Sequence, residues 1–168
     1  MLDSAHLLEQ AERLAAPAPD GERARPTDLH RAVSATYYAV FHAGLTAAAD
    51  QCLGRDNQGT ELYSLAYRSV DHIKMKALCR QVLQREPSPT YKRYVPNGGW
   101  GADITAYADG FVTLNEQRML ADYDPTYVIS PSEVTSYVLV GRTAIRLLDK
   151  ADPAARRAFL TLLLFPPR

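Results

Sequence analysis

Leu29-His30-Arg31-Ala32-Val33-Ser34-Ala35-Thr36-Tyr37-Tyr38-Ala39-Val40-Phe41-His42-Ala43 reads as one helix with two different faces. Leu29, Val33, Tyr37, Val40 and Phe41 recur at helical spacing, and Gly44 and Ala48 continue the series, so they share the side that meets a core. Arg31, Tyr38 and His42 stand at i, i+7 and i+11. At about 3.6 residues per turn they fall in one narrow stripe, roughly opposite that side. Ala35 and Ala49 lie on the same stripe and would let another helix approach closely. An arginine, a tyrosine and a histidine in line suit a phosphate or a nucleotide. They are equally what a solvated helix face carries, and the pattern alone does not separate the two.

Working outward, the helix is bounded by Thr27 as its expected cap and by Gly54 at its end. Before it, residues 3–16 form a short amphipathic helix with Leu7, Leu8, Ala11, Leu14 and Ala15 on its stripe and Ser4 as expected cap. Pro17-Ala18-Pro19-Asp20-Gly21 stops it. After it, Asn57-Gln58-Gly59 is a turn. A third helix is expected from Thr60 to about Glu86, with Leu62, Ala66, Val70, Ile73 and Ala77 on one side. Pro87 and Pro89 cannot continue it. On its other flank Arg68 and His72 are i, i+4 neighbours able to reach one ligand.

Residues 87–101 are expected to be the one long unstructured segment. Lys92 and Arg93 are interleaved there with Tyr91, Tyr94 and Trp100. Rings that stack on bases and cations that meet phosphate suit single-stranded nucleic acid; a mobile surface loop is the plainer reading. A fourth helix over about 102–122 carries Ile104, Tyr107, Ala108, Phe111, Asn115, Arg118 and Asp122 on one face. Arg118 and Asp122 are four apart and should pair there, fixing helix packing, since charges facing a core need partners. Ser130-Pro131-Ser132-Glu133 is a capping box that opens a fifth helix, with Val134, Tyr137, Val138, Gly141, Ala144, Ile145 and Leu148 inward. Asp152-Pro153 caps a last short helix ending in Leu162-Leu163-Leu164-Phe165. The expected fold is an all-α, up-and-down bundle of four to five main helices with a short C-terminal helix, one domain over 1–168.

Composition narrows the function classes. The 168 residues are 46% hydrophobic and 23% charged, with nineteen basic and nineteen acidic side chains and a net charge of zero. Nucleic-acid binding would therefore need a local patch. Only Lys74, Lys76, Lys92 and Lys150 are lysines; the arginine bias is read as genomic. Cys52 and Cys79 are too few for a disulfide framework or zinc site and read as free thiols of a reducing cytosol. Met1-Leu2-Asp3-Ser4 has no signal-peptide character, and no apolar run approaches ~18–20 residues, so a cytoplasmic protein away from membranes is expected. No P-loop, dinucleotide fingerprint, metalloprotease motif, EF-hand or nucleophile elbow is present. His6, His30, His42 and His72 lack metal-site spacing, and no cofactor is expected.

Arg31-Ala32-Val33-Ser34-x-x-Tyr37-Tyr38-Ala39-x-Phe41-His42-Ala43 resembles the second-helix signature of small prokaryotic HEPN-domain proteins (higher eukaryotes and prokaryotes nucleotide-binding). Phe111-x-x-Leu114-x-Glu116-x-Arg118-x-x-Ala121-Asp122-Tyr123-Asp124-Pro125 is similar to the Arg-x-x-Ala-Asp-Tyr element of that group. Tyr67-Arg68-Ser69-Val70-Asp71-His72 looks like its intervening helix. The resemblance covers about residues 27–150. It implies a helical bundle, commonly a homodimer, cytoplasmic, and often paired with a minimal nucleotidyltransferase in toxin–antitoxin modules. Many such proteins are metal-independent ribonucleases with an Arg-x(4–6)-His motif shared across the dimer cleft.

This sequence departs from that motif: Arg68 and His72 have three residues between them, Arg31 and His42 ten. Arg25-x(4)-His30 and Arg23-x(6)-His30 match literally but straddle Pro26. Two readings follow. In the first, Arg31, Tyr38, His42, Arg68 and His72 line a cleft that binds RNA or a nucleotide. Lys92 and Arg93 add phosphate contacts, and Arg118, Asp122 and Tyr123 give support. If it cleaves, His72 or His42 is the acid/base and Arg68 or Arg31 the phosphate clamp. In the second, the bundle is a non-catalytic dimeric module that docks a partner such as a nucleotidyltransferase.

Overall fold

The computed structural model describes residues 2–17 and 23–167. Among these residues the chain is all α-helix, with no strand: α1 (Ser4–Ala15), α2 (Pro26–Leu53), α3 (Glu61–Arg68), α4 (His72–Leu83), α5 (Pro89–Lys92), α6 (Gly101–Tyr123), α7 (Pro131–Lys150) and α8 (Pro153–Leu164). The all-α bundle expected from the sequence is thus present. Part of the expected break at residues 17–21 lies outside the described residues.

The central element is α2, which packs against α1, α3, α6, α7 and α8. Its small residues explain how one helix accepts so many neighbours. Ala32, Ala35, Ala39, Ala47, Ala48 and Ala49 are buried along with Leu29, Val33, Tyr37, Val40 and Phe41. The stripe through Ala35 and Ala49, expected opposite the core, is therefore itself packed. Gly44 is the closest approach: a Cβ there would overlap the Tyr107 hydroxyl of α6 and lie 2.8 Å from Met75 Cε of α4.

Two apolar clusters meet along α2. One joins its second half to α4, α6 and α8 through Tyr107, Phe111, Met75, Leu78, Phe159 and Leu163. The other joins its first half to α1 and α7 through Leu8, Ala11, Val134 and Val138. Each fully buried large side chain here stabilises the fold by roughly 1.5–3 kcal/mol.

Local signals set most boundaries. The Ser130–Glu133 capping box forms as expected, and Pro131 opens α7. Asp152 accepts from the amides of Ala154 and Ala155 at the start of α8. Thr60 caps α3 through Tyr63 N. Gly54 ends α2 with φ of 84°, where a side chain would be strained. Two expected caps are displaced by one or two residues. Asp3, not Ser4, accepts from Ala5 N at α1. At α2, Arg25 rather than Thr27 is the N-cap; Pro26 starts the helix and no side-chain bond caps it.

The expected third helix is two helices. Ser69-Val70-Asp71 breaks it, and Asp71 accepts from Lys74 N to start α4 afresh. The proposed stripe fails with it: Val70 is buried, but Leu62 and Ile73 are 67% and 80% exposed. Residues 87–101 are also less irregular than expected. Pro89–Lys92 forms one helical turn, and Trp100 is buried against the first cluster.

Candidate functional site

The break before α4 places His72 at the first helical position, against the middle of α2. Its ring lies 4.0 Å from the Phe41 ring, centroid to centroid. Tyr37 Oη, on the fully buried Tyr37, is 2.7 Å from His72 Nδ1. A second pair repeats the arrangement. Tyr67 of α3 brings its Oη to 2.6 Å from His42 Nδ1, with the two rings stacked. Tyr38 lies between the pairs, its ring 6.1 Å from His42 and 5.8 Å from His72. Two histidines from different helices thus share one aromatic nest.

Burial determines the protonation here. It pushes the Tyr37 hydroxyl up to about 12, partly offset by a hydrogen bond from Asn115. It raises the Tyr67 hydroxyl as well. Both phenols keep their protons, so each Oη has one to share with the Nδ1 it faces. Burial lowers both histidines, reinforced at His42 by His72 and at His72 by the Arg118 charge. Each imidazole is therefore neutral at pH 7. With Nδ1 accepting, the ring proton sits on Nε2, the nitrogen left for other partners.

The cation of the cluster comes from α6. Arg118 Nε is 2.7 Å from Asp122 Oδ2, and their side chains are only 15% and 21% exposed. The expected pairing is therefore present, largely but not completely covered. Arg118 Nη2 donates to Tyr38 Oη at 3.2 Å, and Ser34 Oγ of α2 donates to Asp122 Oδ1 at 2.6 Å. The guanidinium lies 5.7 Å from the ring centres of Tyr37 and Tyr38 and 5.5 Å from that of Tyr123. Asp122 balances its charge, so the cluster as a whole is close to neutral.

The structure brings together Tyr38, His42, His72, Arg118, Asp122 and Tyr123 among the residues named from sequence. It leaves others apart. Arg31 is exposed on α2, and no hydrogen bond or ion pair joins it to the cluster among the described residues. Arg68 ends α3, where its Nε donates back to Ser64 O at 3.3 Å. The i, i+4 geometry expected for Arg68 and His72 does not exist, because they belong to different helices. Lys92 and Arg93 lie at the end of α5, with the Arg93 guanidinium 4.9 Å from the Tyr94 ring centre.

Sequence reasoning missed Tyr37, which it assigned to the core, and Tyr67, Asn115 and Ser34. Tyr37 is a core residue by burial and a site residue by its hydroxyl. Spacing reports the first and is silent on the second. Chemically, two neutral imidazoles with oriented Nδ1 atoms beside one fixed guanidinium can exchange protons and hold an anion's oxygen. No family model, curated protein or solved structure matches this chain.

Proposed function

We propose that the chain is a HEPN-like protein that binds RNA or a nucleotide, with His42 and His72 as its acid/base pair. The observation that carries this reading is the convergence of two tyrosine-held, neutral histidines beside Arg118. The chemistry it supports is metal-independent RNA cleavage. One histidine takes the proton of a ribose 2′-hydroxyl as that oxygen attacks the adjacent phosphorus. The imidazolium so formed gives that proton to the departing 5′-oxygen, directly or after passing it to the second, neutral imidazole. The products are a 2′,3′-cyclic phosphate and a 5′-hydroxyl. Arg118 steadies the charge on the phosphate. Tyr37 and Tyr67 are positioning residues, since they act through the imidazoles.

The protein is proposed to work as a homodimer, in the cytoplasm. Ile73, Met119 and Tyr123 neighbour the cluster residues in sequence and are 80%, 44% and 66% exposed. An apolar rim of this kind fits a subunit contact that would enclose the histidines.

A second reading is favoured by one observation: Arg118 is already paired with Asp122 and bonded to Tyr38, while Arg68 donates back to Ser64 of its own helix. On that reading the bundle is a non-catalytic module that docks a nucleotidyltransferase-type partner. The test is RNA cleavage by the purified protein in EDTA, beside a His42→Ala, His72→Ala double variant checked for folding. Cleavage lost in the variant supports the ribonuclease. Wild-type protein without cleavage, or a variant that cleaves equally well, sinks it and leaves the docking module.

A further inference from the structure

The segment carrying Lys92 and Arg93 takes no part in the histidine cluster, yet it lies against something specific. Tyr94 lines an open groove of about 690 Å³ together with Pro153, Ala154, Arg157, Leu162 and Phe165 of and beside α8. Tyr94 and Phe165 are 43% and 64% exposed, a large area for two rings that line one groove. The groove bottom is apolar, and its edge is cationic. Arg157 is exposed, and no carboxylate pairs with it among the described residues. Arg93 stands over the Tyr94 ring, and Lys92 precedes it. Asp152, the nearest acid in sequence to this part of α8, is engaged with the amides of Ala154 and Ala155.

We propose that this groove binds single-stranded nucleic acid, with a base against Tyr94 and Phe165 and phosphates against Arg157, Arg93 and Lys92. Two exposed rings, an apolar bottom and arginines without an ion-pair partner among the described residues form a surface for flat apolar faces joined by negative charge. An apolar peptide helix would use the rings but leave the cations unanswered. A duplex would meet the cations but bury its bases away from the rings.

The wall is held in place. Gln51 Nε2 of α2 donates to Arg157 O and Thr161 Oγ1, both at 3.1 Å, which fixes α8 against the far part of α2. Gln51 also places this wall away from His42, since it lies about 13 Å further along α2 at about 1.5 Å per residue. The inference stands without the ribonuclease reading, since binding here requires no histidine.

The experiment is fluorescence anisotropy of a labelled oligouridine of about 12 nucleotides, within the range of single-strand site sizes. It compares the wild-type chain with Tyr94→Ala, Tyr94→Phe, Arg157→Ala and Phe165→Ala. These groove side chains are exposed, so the variants should melt with the wild type. Expected results are binding by the wild type, about tenfold weaker binding by Tyr94→Ala, and near-normal binding by Tyr94→Phe. Arg157→Ala should flatten the salt dependence. Absence of wild-type binding, or Tyr94→Ala and Phe165→Ala both binding as the wild type does, overturns the proposal. So does a change in sedimentation on Phe165→Ala with binding unaltered, which would make the groove a subunit contact.

Discussion

Tyr37 and His72, on different helices and thirty-five positions apart in the chain, meet at 2.7 Å between Oη and Nδ1. Tyr37 is wholly buried, is hydrogen-bonded to Asn115 and keeps its proton beside the imidazole, so one phenol orients the ring. Tyr37→Phe keeps the ring packing and removes both bonds. The expected cost is about 1–3 kcal/mol in urea unfolding, because two polar groups lose their partner. Nitrogen shifts of His72 should move from the Nε2–H form toward a mixture of tautomers. Unchanged shifts would show that the hydroxyl does not set the ring.

Acid should weaken the fold through the two histidines. Both are held below the ordinary imidazole value, chiefly by burial. Above about pH 6.5 neither the folded nor the unfolded chain protonates them. Below it the unfolded chain takes up these protons first, so it binds more protons than the folded chain and stability falls with pH. The urea midpoint should drop between about pH 7 and pH 5, and a His42→Gln, His72→Gln variant should show a shallower drop. Equal slopes would contradict the assignment.

Asp122 is expected to matter more to stability than Arg118 itself. Asp122→Ala leaves a largely covered guanidinium without its carboxylate and removes one of the two acceptors of Ser34 Oγ, leaving only His30 O. The expected loss is about 2 kcal/mol, less than for a fully buried pair because both side chains keep some solvent contact. Adding Arg118→Met should recover part of it. A double-mutant cycle with no coupling would show that the pair is incidental.

Gly44→Ala tests the packing that holds the site together. The added methyl meets Tyr107 Oη, which is fixed by its bond to Val40 O at 3.1 Å, and Met75 Cε. Overpacking costs about 1–3 kcal/mol and outweighs the gain of about 1 kcal/mol in helix propensity. A melting temperature at or above the wild type would refute this.

Ile73→Glu tests the proposed subunit contact. Its side chain is 80% exposed, so the change should leave the melting of the isolated chain nearly unchanged. Sedimentation should shift from dimer to monomer. A wild-type protein that is monomeric at all concentrations, or a variant that still dimerises, would remove this face as the interface.

Much of the fold was legible in short-range signals, because caps and breakers act within one turn of helix. Ser130, Asp152, Thr60 and Gly54 do what their types dictate. The core side of α2, from Leu29 to Ala48, and that of α7 were legible too, because burial imposes helical period on sequence. The split between α3 and α4 was not read, although Asp71 offered a local capping signal. The apparent stripe through Leu62 and Ile73 argued for continuity, and such a stripe misleads where apolar residues face outward.

The sequence by itself determined that Arg118 and Asp122 would pair, since four residues along a helix bring side chains together. Only the tertiary structure decided that Ser34, Tyr38 and Arg118 belong to one network and that Tyr37 and Tyr67 hold the two histidines. Those contacts join different helices, and helix crossing is set by the packing of whole surfaces rather than by any local spacing. The same packing that buries Tyr37 gives its hydroxyl a histidine to orient, and periodicity carries no trace of that second role.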